Sequence, residues 1–234
     1  MEIRFAEPLS EAERGVVLAS AKIRRWLDRI AAAFTVGVVS FDKVYFFGSR
    51  LGFVMARAEV RTHAGDPVPS LAFLRGDGVA VLPILRTPDG VAWTVLTRQP
   101  RLAVGEADAE EIPAGMVDEG DPAAKAIEEL REELGEDLGF TEAALVHLET
   151  VAVSSGGTDE AIVIFAAETD VSRETLGRLA GRVTGNHGEH EHIRLEVLRF
   201  DDLAFRGRSD MKTRLAYYAY LAHLGRCAPP PSRG

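Results

Sequence analysis

Residues 111–135 read EIPAGMVDEGDPAAKAIEELREELG, and this stretch decides the fold. EIPAGMV (111–117) is strand-like, and Gly115 permits a close turn. Residues 122–135 have the strongest helical pattern of the chain. Pro122 suits the first turn, where its missing N–H costs nothing, and Asp121 can cap it. Ala123, Ala126, Ile127, Leu130 and Leu134 recur at helical spacing and form an apolar stripe. At 3.6 residues per turn, Glu129 and Glu133 fall together at one edge of that stripe. Glu132 and Glu136 lie farther round, and Glu128 points to the wet side. Like-charged pairs such as 128/132, 129/132 and 129/133 each cost a few tenths of a kcal/mol, roughly, on an isolated helix. Lys125 and Arg131 are the local offsets. A solvated acidic face would carry the same letters. Several carboxylates on one face are also what a hard divalent cation requires, Mg²⁺ taking waters and substrate phosphates as its other ligands.

Working outward, VAVLPIL (79–85) and WTVLT (93–97) flank Thr87-Pro88-Asp89-Gly90, a hairpin signal. Downstream, strands are expected at 145–154, 161–168 and 193–200, and helices near 172–180 and 210–224. The last helix has Met211, Leu215, Tyr218, Leu221 and Ala222 on one face. Upstream, residues 1–20 are weakly patterned and 21–34 form a short amphipathic helix. Strand-like runs occupy 43–48, 52–62 and 70–75. The order predicts an α/β protein with a mixed sheet between helices. We divide it into a small N-terminal β-rich unit (1–75), a main domain (76–226) and a frayed tail (227–234).

Twenty-seven basic and 36 acidic residues give a formal net charge of −9. That balance argues against a phosphate-backbone groove, so no nucleic-acid partner is expected. One small nucleotide stays compatible, because a cation can screen it. The single cysteine, Cys227, allows no disulfide framework and favours a reducing compartment. The start of the chain carries no signal-peptide pattern, and no apolar run reaches the ~18 residues that span a bilayer. The expectation is a cytoplasmic protein without a membrane partner.

With these residues in hand, the stretch Gly115-(x)₅-Asp121-(x)₇-Glu129-Leu130-x-Glu132-Glu133-x-Gly135 resembles the Nudix box. The resemblance implies that Glu129, Glu132 and Glu133 are metal-binding glutamates and that the carbonyl of Ala114 is a backbone ligand. Glu132 and Glu133 would thereby also be catalytic. The stretch from Gly115 to Glu129 is one residue shorter than the strict box, so Asp121 matches loosely. Glu128 stands where the box has arginine, which makes the pair with Glu132 like-charged.

The resemblance runs beyond the box. Leu51-Gly52-Phe53, Val68-Pro69, Val95-Leu96-Thr97-x-Gln99-x-Arg101, Glu111-x-Pro113-Ala114-Gly115-Met116, Ser155-Gly156-Gly157-x-Asp159-Glu160 and His187-Gly188-Glu189 are similar to the ADP-sugar diphosphatase and ADP-ribose pyrophosphatase branch. That likeness implies a Nudix fold with a mixed sheet between helices and an N-terminal β unit exchanged across a homodimer. It implies hydrolysis of a nucleoside diphosphate sugar with Mg²⁺, Mn²⁺ being a possible substitute. Arg101 would meet the substrate phosphates, as a guanidinium suits a diphosphate. Glu111, Gly115, Glu160 and Arg98 join it as substrate-side residues, although the family usually has glutamate at position 98. In Asn186-His187-Gly188-Glu189-His190-Glu191-His192, the resemblance makes Glu189 the loop glutamate that activates water or completes a metal shell, with Glu191 as its backup. Read alone, that loop is a weak transition-metal clip. Two other readings stay open. One is a catalytically silent Nudix-fold binding protein, which Glu128 favours. The other is a biosynthetic pyrophosphohydrolase acting on another nucleoside diphosphate derivative.

Overall fold

The N-terminal stretch that shows little pattern in sequence carries a strand and a helix, β1 (Glu2–Phe5) and α1 (Glu11–Ala19). The signal for α1 is local. Ser10 and Glu13 form a capping box, the Ser10 hydroxyl taking the Glu13 N–H while the Glu13 carboxylate takes the Ser10 N–H. The computed structural model describes residues 1–117, 120–135, 138–185, 192–207 and 209–225. The chain separates into two units, residues 1–77 with 151–162 and residues 78–150 with 163–234.

In the first unit, α2 (Ala21–Ala33) follows α1, and β1 pairs in parallel with β2 (Thr35–Phe47). Antiparallel β3 (Arg50–Arg61) and β4 (Leu71–Leu74) complete a four-stranded sheet. Val17, Ile23 and Leu27 of the helices pack with Val39, Phe41, Val54 and Leu74 of the sheet. The Lys22 ammonium is buried at the edge of this core and donates to the carbonyl oxygens of Leu51 (2.9 Å) and Gly52 (2.6 Å). Segment 154–160 adds to the β4 side. Phe73 N–H donates to Gly157 O, and Asp159 Oδ1 accepts the N–H groups of Arg75 and Gly76.

The second unit is built on an eight-stranded sheet. Its strands are β5 (Asp77–Arg86), β6 (Ala92–Arg101), β7 (Glu106–Glu111), β8 (Ala114–Val117), β9 (Leu145–Ala152), β10 (Ala161–Asp170), β11 (Val183–Thr184) and β12 (Ile193–Arg199). The hairpin between β5 and β6 closes as expected, Gly90 N–H donating to Thr87 O at 2.8 Å. The central β5 is buried from Gly78 to Leu85, so both faces of the sheet are covered. Val79, Val81 and Leu85 join one cluster with Ala126, Ile127, Leu130 and Leu134 of α3 (Pro122–Leu134) and Leu176 and Leu179 of α4 (Arg173–Leu179). Leu82 and Ile84 alternate to the other side, where Ile84 shares a small cavity with Phe200 and Tyr220.

Tyr220 belongs to α5 (Met211–His223). The buried residues of this helix are Thr213, Ala216, Tyr217 and Tyr220, while Met211 and Tyr218 are exposed. The apolar face expected from sequence is therefore not the inward one. Partners decide the matter. The Tyr220 hydroxyl donates to Glu168, which Arg86 also holds at 2.7 Å, and the Thr213 hydroxyl takes the Ile112 N–H at 2.9 Å. Among the described residues, no helix is long and apolar enough to cross a membrane.

Candidate active site: a buried glutamate against a glycine strand

Helix α3 is capped as its sequence predicts. Asp121 accepts the Ala123 N–H, Pro122 fills the first turn, and Gly135 closes the helix at φ 104°. Its twist turns Glu129 and Glu133 inward, to 9 % and 5 % exposure, while Glu128 and Glu132 stay exposed. The Glu129 carboxylate lies directly on the backbone of Gly115 in β8. A Cβ there would come within 1.9 Å of Glu129 Oε1, so a side chain on residue 115 and this position of the carboxylate exclude each other.

Lys125 Nζ stands 2.9 Å from Glu129 Oε1 and 3.1 Å from Glu128 Oε2. Burial pushes the Glu129 carboxyl above its ordinary range; Lys125 pulls it down, Glu132 and Glu128 push it up further, and the net direction is upward. The carbonyl of Glu133 accepts from Arg182 at 3.2 Å. Glu128, Arg131, Glu132 and Glu142 line an open groove of about 670 Å³ on the outer side of α3.

The donors fit a hard cation in kind, since Glu129 and Glu133 are buried carboxylates and Glu129 stands against the strand whose Ala114 carbonyl is also an oxygen donor. Among the described residues, however, no three His, Cys, Asp or Glu side chains are gathered closely enough to hold a metal ion. Glu129 and Glu133 share the inward face, and Glu132 does not. Glu189 and Glu191, expected from sequence to act here, lie outside the described residues.

A second cluster surrounds Glu111, the last residue of β7. Its two carboxylate oxygens accept from Arg101 Nε and Nη2, each at 2.8 Å, in a bidentate pair. Lys212 Nζ approaches Oε2 at 3.4 Å. Burial alone would raise the Glu111 carboxyl, yet the pairing with Arg101 and Lys212 prevails and holds it below its ordinary value. Arg98 sits in a separate network. It donates to Asp108 at 2.5 Å and to Glu196 at 2.9 Å, and stands 3.6 Å from Glu110. Arg206 ties the same Glu110 and Glu196 together. The expected substrate residues on this side are thus brought together as Arg101 with Glu111, whereas Arg98 is held by three carboxylates of its own. Nothing in a single sequence pairs Lys212 or Arg206 with strand β7.

Glu160 belongs to the other unit. It is buried there, and Arg75 Nη1 lies 3.5 Å from its carboxylate.

A sheet covered on both faces, with a capped helix that buries two carboxylates and sets one of them on a glycine strand, defines an α/β protein with an oxygen-donor acidic site. Comparison with known proteins gives that class its family. The chain is 31 % identical over 230 residues to Nudix hydrolase 14, chloroplastic, of Arabidopsis thaliana, covering 91 % of this chain and 74 % of that protein. It superposes on the crystal structure of an ADP compounds hydrolase with a TM-score of 0.57 at 15 % identity, over 83 % of this chain and 97 % of that one. No family model matches the chain. The chain belongs to the Nudix hydrolase family.

Proposed function

We propose that this chain hydrolyses the diphosphate linkage of a nucleoside diphosphate sugar of the ADP-ribose or ADP-glucose type, releasing nucleoside monophosphate and sugar phosphate. The observation that carries the reading is the buried Glu129 carboxylate packed on Gly115, with Glu133 buried one turn on along the same helix. The resemblance to the ADP-sugar branch adds to it, as does the ADP compounds hydrolase among its structural neighbours. Glu129, Glu133 and the Ala114 carbonyl would hold Mg²⁺, or Mn²⁺ in its place, and Glu132, outward in this structure, would join them by turning inward. Such a cation neutralises the diphosphate and acidifies the attacking water.

The protein's own groups do the rest. Arg101, oriented by Glu111, binds the phosphates by bidentate pairing. Gly115 keeps the space that the Glu129 carboxylate needs. The resemblance gives Glu189 the task of taking the proton of water. Arg98 acts on the substrate side in this reading when substrate draws it from its present partners.

The test is phosphate release with a coupled phosphatase over a panel of nucleotide sugars. EDTA should abolish the signal, and Glu133→Gln should lower kcat by at least about a hundredfold, on the scale of removing one electrostatic stabiliser. Activity within a few-fold of the parent at saturating Mg²⁺ would sink the metal-site assignment. A second reading, nucleotide binding without turnover, is favoured by Glu128 in the arginine position of the box and by the outward Glu132. Silence across the panel together with nucleotide-induced thermal stabilisation would select it.

We also propose a homodimer formed through the N-terminal unit. Tyr45, Phe47 and Leu71 of its strands are about half exposed, apolar surface that a second copy would cover. Sedimentation should give a dimer at micromolar concentration, and a monomer there counts against the assignment.

A further inference from the structure

The first turn of α5 is joined to the end of β7 by charges of alternating sign. Asp210 caps the helix, its Oδ2 accepting the Thr213 N–H at 2.9 Å and the Thr213 hydroxyl at 2.6 Å. Its Oδ1 accepts from Lys212 Nζ at 2.7 Å. Lys212 then reaches Glu111 Oε2, and Glu111 holds the Arg101 guanidinium on both oxygens. One residue on, the Thr213 hydroxyl takes the Ile112 N–H. The helix N-terminus favours the Asp210 charge. The order is therefore helix end, Asp210⁻, Lys212⁺, Glu111⁻, Arg101⁺. Side-chain exposure along the chain is 11 %, 18 %, 9 % and 40 %, so its accessible end is a cation.

We propose that Lys212 is a positioning residue for the diphosphate of the substrate, acting through Glu111 on Arg101. This rests on the reading above, in which Arg101 meets the phosphates. A carboxylate and a diphosphate want the same planar fork of donors. If Arg101 alone answered Glu111, an incoming diphosphate would compete with a buried carboxylate for one guanidinium and be repelled by it. Lys212 supplies a second positive charge to Glu111, so the charge of Arg101 stays directed at the anion. It also ties Glu111 to the capped end of α5, which fixes the plane of the guanidinium before substrate arrives. Preorganisation of that kind lowers the cost of binding. Contacts with phosphate groups present in both substrate and transition state act mainly on KM.

The experiment compares the full chain with Lys212→Met, Lys212→Gln and Lys212→Arg. Turnover of ADP-ribose is measured with Mg²⁺, and calorimetric titration with ADP is done in EDTA. Lys212→Met and Lys212→Gln should raise KM about tenfold with kcat within about threefold, and weaken ADP to a similar degree. Lys212→Arg should recover both to within about threefold, because the charge is retained. A merely structural bridge would change the melting temperature and leave KM alone. If Lys212→Met fails to fold, Lys212→Gln, which keeps a donor for Asp210, carries the comparison. Parent-like KM and parent-like ADP affinity in a folded neutral variant overturn the proposal, as does a parent that binds no ADP. A parent that binds ADP but turns over no nucleotide sugar removes the hydrolysis reading instead, and the ADP titration of the variants still decides the role of Lys212.

Discussion

Gly115 and Glu129 are the residues on which the proposed metal site turns. The contact is between a backbone that carries no Cβ and a carboxylate at 9 % exposure. Alanine at position 115 would put a methyl group 1.9 Å from Oε1, and the carboxylate must leave. Because it ends a flexible side chain, the fold absorbs the shift while the site loses its geometry. Gly115→Ala should therefore cost about a hundredfold in kcat/KM, the scale of a misplacement near one ångström, with little change in melting temperature. A variant with the parent rate would overturn the contact's importance. The inward placement of Glu129 was legible in the sequence, because helical period alone puts Glu129 and Glu133 on one edge and Glu132 and Glu128 outside it; its contact with Gly115 was not. The partners of Glu111 were not. Lys212 lies 101 residues away, and only the docking of α5 brings it near. The partners of Arg98 were hidden in a similar way. Strand register sets it opposite Glu110 in β7, and that pairing cannot be read from either strand alone.

Elements were legible where one periodicity runs unbroken. α2, α3 and α4 appear within a residue or two of their expected spans, because each combines an apolar stripe with a cap or a breaker. β2 begins at Thr35, eight residues before the strand expected at 43. Its pairing with β3 slips between Val36 and Val39, between Phe41 and Lys43, and between Tyr45 and Phe46, and each slip breaks the alternation that marks a strand. β7 reads EADAEE and has the composition of a loop. It is a strand because Arg98, Arg101 and Arg206, from other parts of the unit, answer its acids. α5 was found as a helix with the wrong face inward. Hydrophobicity chose Met211 and Tyr218, whereas hydrogen-bond partners for Thr213 and Tyr220 chose the opposite side.

Across the molecule, the fold of an acidic chain depends on carboxylates being ionised against arginine and lysine. Arg206 holds the Glu110 carboxyl below its ordinary value of 4.5. Burial raises Glu111 and Glu168, but Arg101 with Lys212, and Arg86 with Tyr220, outweigh it and leave both depressed. The sign of the pH dependence follows from these directions. A carboxyl depressed in the folded state binds fewer protons there than in the unfolded chain. Its contribution to stability is present above the unfolded pKa and is lost as pH falls through the folded one. Three such groups, all in the second unit, should make the urea midpoint nearly level from about pH 8 to about pH 5.5 and lower it steadily below about pH 4.5. Glu110→Gln, which leaves Arg206 with one carboxylate partner fewer, should lower the midpoint at pH 7 and flatten the acid limb. A parent midpoint that holds to about pH 3, or an acid limb unchanged in Glu110→Gln, would mean that these pairs do not carry the linkage.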